Sequence, residues 1–133
     1  NFKGNQEGNN PAYSFQYRGR SDKVYVFEAP VDLLSYLSMY PQKWQQHSYI
    51  ALMGVGGKAL MQFLEERPDV ATVVFALDND PAGQKAIARL AEQVTNLPQD
   101  YQIQVEQSIL KDWNEDLQAI SEPEQNVEVR MAM

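Results

Sequence analysis

Cysteine is absent from the 133 residues, and histidine occurs once, as His47. A disulfide framework and a Cys-based zinc site are thereby excluded, and one histidine builds no His-rich metal site. Any metal held by this chain has oxygen ligands, which favours Mg²⁺, Mn²⁺ or Ca²⁺. Positive charge is also scarce. Eleven Lys and Arg stand against 18 Asp and Glu, for a formal net charge of −7. Grip on a nucleic-acid backbone comes from cations that displace counterions, so this stretch alone is expected to hold a polyanion poorly. No apolar run approaches the roughly 20 residues that span a bilayer, and no basic-then-apolar leader opens the chain. The sequence starts at Asn1 rather than Met. The expectation is a soluble, cytoplasmic domain with no membrane partner, cut from a longer protein. Hydrophobic residues make up 44%, enough for the core of one domain.

The chain divides by pattern into a linker and short strand segment (1–22), an α/β domain (23–121) and a polar tail (122–133). Residues 1–11 are polar and rich in Gly and Asn. Tyr13, Phe15 and Tyr17 then alternate with other residues, a short-strand pattern. Val24–Phe27 is a β-branched and aromatic run that predicts a buried strand. From there strands and helices alternate. Val31–Tyr40 carries Val31, Leu34 and Leu37, then Leu33 and Tyr36, at helical spacing. A strand is expected over Ser48–Met53, closed by Gly54, and a helix over Lys58–Glu66 with Leu60, Phe63 and Leu64 on one face. Ala71–Leu77 reads as a strand. A helix over Pro81–Thr95 turns Ala86, Ile87, Leu90 and Val94 inward. A strand over Tyr101–Val105 and a short helix over Asp112–Ile120 complete the series. Such alternation predicts a parallel sheet of about four strands with helices on both faces, plus an N-terminal strand or hairpin.

In these sheets ligands bind beyond the C-terminal strand ends. The first strand of the alternation ends at Glu28 and the third at Asp78-Asn79-Asp80. Two carboxylates two residues apart, joined by a third from another strand, form an oxygen-rich pocket of the kind Mg²⁺ takes. Each acid has a plainer explanation. Asp80 precedes Pro81 and suits a helix N-cap with proline at the first helical position. Asp78 could solvate a turn, and Asp32 could serve a helix dipole. Glu28 directly follows four apolar strand residues, so it stands either at the sheet's mouth or at a costly buried position.

Gly54-Val55-Gly56-Gly57-Lys58-Ala59 follows a strand and opens a helix, and Gly54-x-Gly56-x-x-Ala59 formally satisfies the dinucleotide fingerprint. Asp78 ends the next strand at about the expected distance. An NAD-type binding domain is therefore a competing reading, although it leaves Glu28 and Asp80 without a role. The same glycines fail as a nucleoside-triphosphate loop, because Leu52 stands where the first glycine belongs and Ala59 replaces Ser or Thr. Tyr36, Tyr40, Trp44 and Tyr49 invite a base-stacking role, but their spacing favours packing. His47, in a polar loop, is expected to be solvated.

Several segments together resemble one family. Glu28 after an apolar strand, then Asp78-x-Asp80 after a later one, look like the Toprim signature of topoisomerases, bacterial primases and some nucleases. Glu28-Ala-Pro-Val-Asp32-Leu-Leu resembles the primase segment E-G-x-x-D-x-L, with Ala29 in place of the glycine. Asp78-Asn-Asp80-Pro-Ala-Gly83-Gln-Lys-Ala86 resembles D-x-D-x-A-G-x-x-A. Lys111-Asp112-Trp-Asn-Glu-Asp-Leu117 resembles the later K-D-x-N-x-x-L, and Gly54 matches the glycine closing the second strand. The resemblance covers about residues 23–120 and is closest to primase-like Toprim domains of mobile-element proteins. It implies Mg²⁺ or Mn²⁺ held by Asp78 and Asp80, with Glu28 as general acid or base or as a shared ligand. Asp32 and Asp112 are candidates for a second ion, and Lys85 and Lys111 for phosphate contact. The implied function is phosphoryl transfer on nucleic acid, DNA more than RNA, as primase-like nucleotidyl transfer or strand cleavage within a larger DNA-processing protein. Flanking domains would supply the basic surface. No zinc ribbon and no basic template-guiding subdomain is present. A non-catalytic Toprim scaffold stands beside the dinucleotide-binding domain as an alternative.

Overall fold

A computed structural model describes residues 15–54 and 56–121. The expected loop over 1–11, Tyr13, Val55 and the polar tail from 122 lie outside them. The order is β1 (Gln16–Tyr17), β2 (Lys23–Phe27), α1 (Pro30–Met39), a 3₁₀ turn (Trp44–Gln46), β3 (Ser48–Ala51), α2 (Lys58–Glu66), β4 (Thr72–Phe75), α3 (Pro81–Thr95) and β5 (Gln102–Val105). A last helix, α4, runs over residues 113–121.

The strands form one sheet in the order β1-β3-β2-β4-β5. β2, β3, β4 and β5 are parallel, and β1 pairs antiparallel with β3. The four expected parallel strands are present, and the N-terminal addition is an edge strand on β3. It forms no hairpin with β2, because β2 lies between β3 and β4 and both its edges are taken.

Strand alternation explains the two cores. Val24, Val26, Ile50, Val73 and Phe75 face one side, where Leu60, Phe63 and Leu64 of α2 and Ala86, Leu90 and Val94 of α3 cover them. Tyr25, Phe27, Tyr49, Ala51, Val74 and Ala76 face the other, against Leu33 and Tyr36 of α1 and Trp113 of α4. Phe27, Phe63 and Phe75 are fully buried, each contributing about 1.5–3 kcal/mol of transfer free energy. On α1 the stripe of Leu33 and Tyr36 is the buried one, whereas Val31 and Leu34 are half-exposed. The aromatic residues pack among themselves. Tyr36 meets Tyr40 at 4.9 Å and Trp113 edge-on at 4.9 Å, and Trp44 meets Tyr17 and Tyr49 at 4.8 and 6.3 Å. His47 is not simply solvated. It sits just before β3, half-buried, with Nδ1 2.7 Å from the Ser21 hydroxyl, and burial lowers its pKa.

Candidate metal centre

The site grows from the pairing of β2 with β4, in which Val26 stands opposite Phe75. Neighbouring strands lie about 4.8 Å apart, so the residues that follow each strand emerge side by side. Hydrogen bonding continues past the strands: Ala76 N–H donates to the Val26 carbonyl at 2.8 Å, and Met53 N–H to that of Glu28 at 2.8 Å. Glu28, Asp78 and Asp80 are thus delivered to one end of the sheet, as their strand-end positions predicted.

Asp80 is the N-cap of α3. Its Oδ1 accepts from Gly83 N–H at 2.7 Å, and Pro81 follows at the first helical position. Gly83 is obligatory for a separate reason. A Cβ there would lie 2.0 Å from the Asp78 carbonyl oxygen, so the first turn of α3 closes against the acid loop only without a side chain. Asn79 pins the same loop from the other side. Its N–H donates to the Lys111 carbonyl at 2.7 Å and its Nδ2 to the Ser108 carbonyl at 2.8 Å.

The tightest cluster differs from the one that strand ends suggested. Oxygens of Asp32, Asp78 and Asp112 all lie within 4.8 Å of one another, a spacing that suits one cation. Neither Glu28 nor Asp80 belongs to that trio; both stand around it, close enough to act electrostatically on Asp78. The N-terminus of α4 assembles the trio. Trp113 Nε1 donates to the Ala76 carbonyl at 2.8 Å and docks the helix against β4. Asp112 caps that helix, its Oδ1 accepting from Glu115 N–H at 2.9 Å. Asn114 N–H donates to Asp32 Oδ1 at 3.3 Å.

The electrostatics are those of a crowded acidic pocket. Asp78 is pushed up to about 7, first by burial and then by Asp32, Glu28, Asp112 and Asp80. Its Oδ1 is buried with no hydrogen-bond partner among the described residues. Burial also raises Glu28, helped by Asp80 and Asp32 and opposed by Arg89. Asp32 is raised by burial and by Asp112, against the Asn114 hydrogen bond. An unsatisfied carboxylate oxygen beside two more acids is costly without a cation, and three carboxylates with no nitrogen or sulfur donor suit a hard divalent ion. The donor set therefore fits Mg²⁺ or Mn²⁺.

Lys85 and Lys111 are exposed. Arg89, one turn beyond Lys85 on α3, is the cation felt by Glu28. It was not among the residues that the sequence singled out. The glycine loop after β3 is a strained turn, with Met53, Gly54 and Gly56 at φ of 56°, 78° and 68°. β2 separates β3 from β4, so Asp78 does not end the strand next to the glycine loop, as a ribose-binding acid would.

The comparisons accord with this fold. A family model described as Toprim-like matches residues 25–117. The primase fragment of the bacteriophage T7 primase-helicase protein superposes with a TM-score of 0.56 at 23% identity, over 85% of this chain and 45% of that one. A DNA primase domain from Pseudomonas aeruginosa gives 0.52 at 20% identity, over 74% and 29%. The chain thus spans less than half of either structure. No curated protein matches, and no helix of the described residues is long and apolar enough to cross a membrane. With the family match covering most of the sequence, from the β2 strand into the helix that Asp112 caps, the chain belongs to the Toprim-like family.

Proposed function

We propose that this domain holds Mg²⁺ or Mn²⁺ through Asp32, Asp78 and Asp112, with Asp80 and Glu28 at the margin, and serves phosphoryl transfer on nucleic acid within a larger protein. The observation that carries this reading is the buried, unpartnered Asp78 Oδ1 on a carboxylate grouped with those of Asp32 and Asp112. A bound divalent ion would supply charge neutralisation at a phosphate and would polarise its oxygens. The chain's own residues do the rest. Asp80 fixes the start of α3, and Asn114 N–H holds the Asp32 carboxylate in place.

Glu28 takes the role of general base or acid. Burial and its acidic neighbours raise its affinity for a proton, which suits a group that accepts a proton from an attacking hydroxyl at its carboxylate oxygen. Lys85, Arg89 and Lys111 are the cations assigned to phosphate contact in this reading, with DNA the favoured substrate. Net charge of −7 makes these few cations insufficient for a grip, so flanking domains would supply it. The reaction is nucleotidyl transfer of the primase kind or strand cleavage.

The test is metal-dependent nucleic-acid activity of the full-length protein that contains this chain, compared with its Glu28→Gln variant. Glutamine keeps the shape but neither carries charge nor accepts the proton, so activity should fall by about 10²-fold or more, with metal binding retained. Activity that survives Glu28→Gln undiminished would leave the domain as a scaffold.

A further inference from the structure

The two edges of the sheet are protected very differently. β1 is a two-residue strand, Gln16–Tyr17, followed by the charged Arg18, and a short edge next to charge resists pairing. At the other edge, β5 carries Gln102-Ile103-Gln104-Val105 with no charge, no proline and mostly exposed side chains. Gln102 and Glu106 N–H groups point inward, to Ala71 and Phe75 carbonyls at 2.8 and 2.9 Å. Alternation then turns the N–H and C=O groups of Ile103 and Val105 outward, and no strand of the described residues pairs with them. Exposed apolar residues continue from this edge, with Val105 at 50% and Ile109 at 89% exposure.

The crossovers of the described residues do not cover that edge. The step from β2 to β3 runs toward the β1 edge with α1 on one face, and the steps to β4 and β5 run the opposite way with α2 and α3 on the other. These share one hand, as parallel crossovers do. α4 lies on the α1 face through Trp113. A parallel strand following α4 and placed outside β5 would need the disfavoured hand.

We propose that β5 is an assembly edge, and that two copies of this chain pair their β5 strands antiparallel about a two-fold axis through Gln104. The occupant is a second copy because the strand is self-complementary in this register. Ile103 and Val105, whose backbone groups point outward, form the hydrogen-bonded pairs with Val105 and Ile103 of the second copy. Gln104 faces its own equivalent, and Gln102 faces Glu106. A register centred on Ile103 sets Asp100 against Glu106 of the second copy, and like charges directly opposite are destabilising; one centred on Val105 pairs Ile103 with Gln107, beyond the end of β5. An isologous pair of this kind joins two five-stranded sheets into one. It leaves the two acidic clusters free, at opposite ends of the joint sheet.

The test is sedimentation equilibrium of the 133-residue chain from micromolar to millimolar concentration. The parent should rise with concentration from 15.2 kDa to twice that mass. Gln104→Lys and Gln104→Glu each set like charges at the axis and should stay monomeric. Gln104 is exposed, so thermal unfolding of both should match the parent. Mixed in equal amounts, the two should recover the doubled mass. Val105→Pro removes an outward N–H without touching β4 and should also be monomeric. A parent that stays at 15.2 kDa throughout, single-charge variants that dimerise as the parent does, or a mixture that fails to associate would overturn the proposal. None of these readouts depends on the metal or on Glu28.

Discussion

Asp78→Asn should stabilise the metal-free domain at neutral pH, and the acidic cluster sets the size of the effect. In the fold Asp78 titrates at about 7, against 3.8 in an unperturbed chain. Between these values the folded state binds more protons than the unfolded state, so stability falls as pH rises through that window. The penalty is absent below pH 4 and complete above pH 7. The full shift corresponds to a ceiling of about 4 kcal/mol. Water at the sheet's mouth screens the repulsion, which leaves about 1–2 kcal/mol. Asparagine keeps the shape and carries no charge. With chelator present at pH 8 the variant should unfold about 3–7 °C above the parent, and at pH 4 the two should coincide. Divalent ion reverses the ranking, because a ligand bound only by the folded parent adds about 1.4 kcal/mol at tenfold its Kd and about 2.7 at a hundredfold. Circular dichroism melts at pH 4, 6 and 8, with chelator and with Mg²⁺, read all of this. An Asp78→Asn protein less stable than the parent in chelator at pH 8 would refute the argument from a buried, crowded charge.

Substitutions at three other positions probe the scaffold. Gly83→Ala drives a methyl group to within 2.0 Å of the Asp78 carbonyl and should cost about 1–3 kcal/mol or more in urea unfolding. Asp80→Asn preserves an N-cap and should leave metal-free stability within about 0.5 kcal/mol, whereas Asp80→Ala removes the Gly83 hydrogen bond and should cost about 1 kcal/mol. Trp113→Phe strips the indole donor from the Ala76 carbonyl. It should cost about 1–3 kcal/mol and also weaken divalent binding in calorimetry, because α4 then holds Asp112 and Asn114 less firmly.

Much of this was legible in the sequence because parallel strands wrapped by helices leave strong local marks. The apolar runs at Val24–Phe27 and Ala71–Leu77 announced buried strands, and the acids at their ends fell on the functional side of the sheet by rule. The Asp80-Pro81 pair marked the start of α3. What local patterns cannot carry is which elements become neighbours. Asp32 meets Asn114 across 82 residues, so local pattern did not show that α4 would bring Asp112 onto Asp32 and Asp78; the family resemblance offered Asp32 and Asp112 only as ligands of a second ion. Glu28 and Asp80, prominent by position, stand around that trio instead. The helical spacing of α1 fitted two stripes, and only packing against Phe27 and Trp113 chose Leu33 and Tyr36. Pairing of β1 with β3 was hidden for the same reason, since a two-residue strand carries almost no register information. His47 reads as a loop residue until Ser21, 26 positions away, is set beside it.

Calorimetric titration of the metal-free chain with Mn²⁺ and Mg²⁺ tests the central claim most directly. The parent should bind one or two ions. Asp32→Asn, Asp78→Asn and Asp112→Asn should each weaken binding by at least about tenfold, while Lys85→Ala leaves it unchanged. Binding in all three asparagine variants equal to that of the parent would contradict the metal centre.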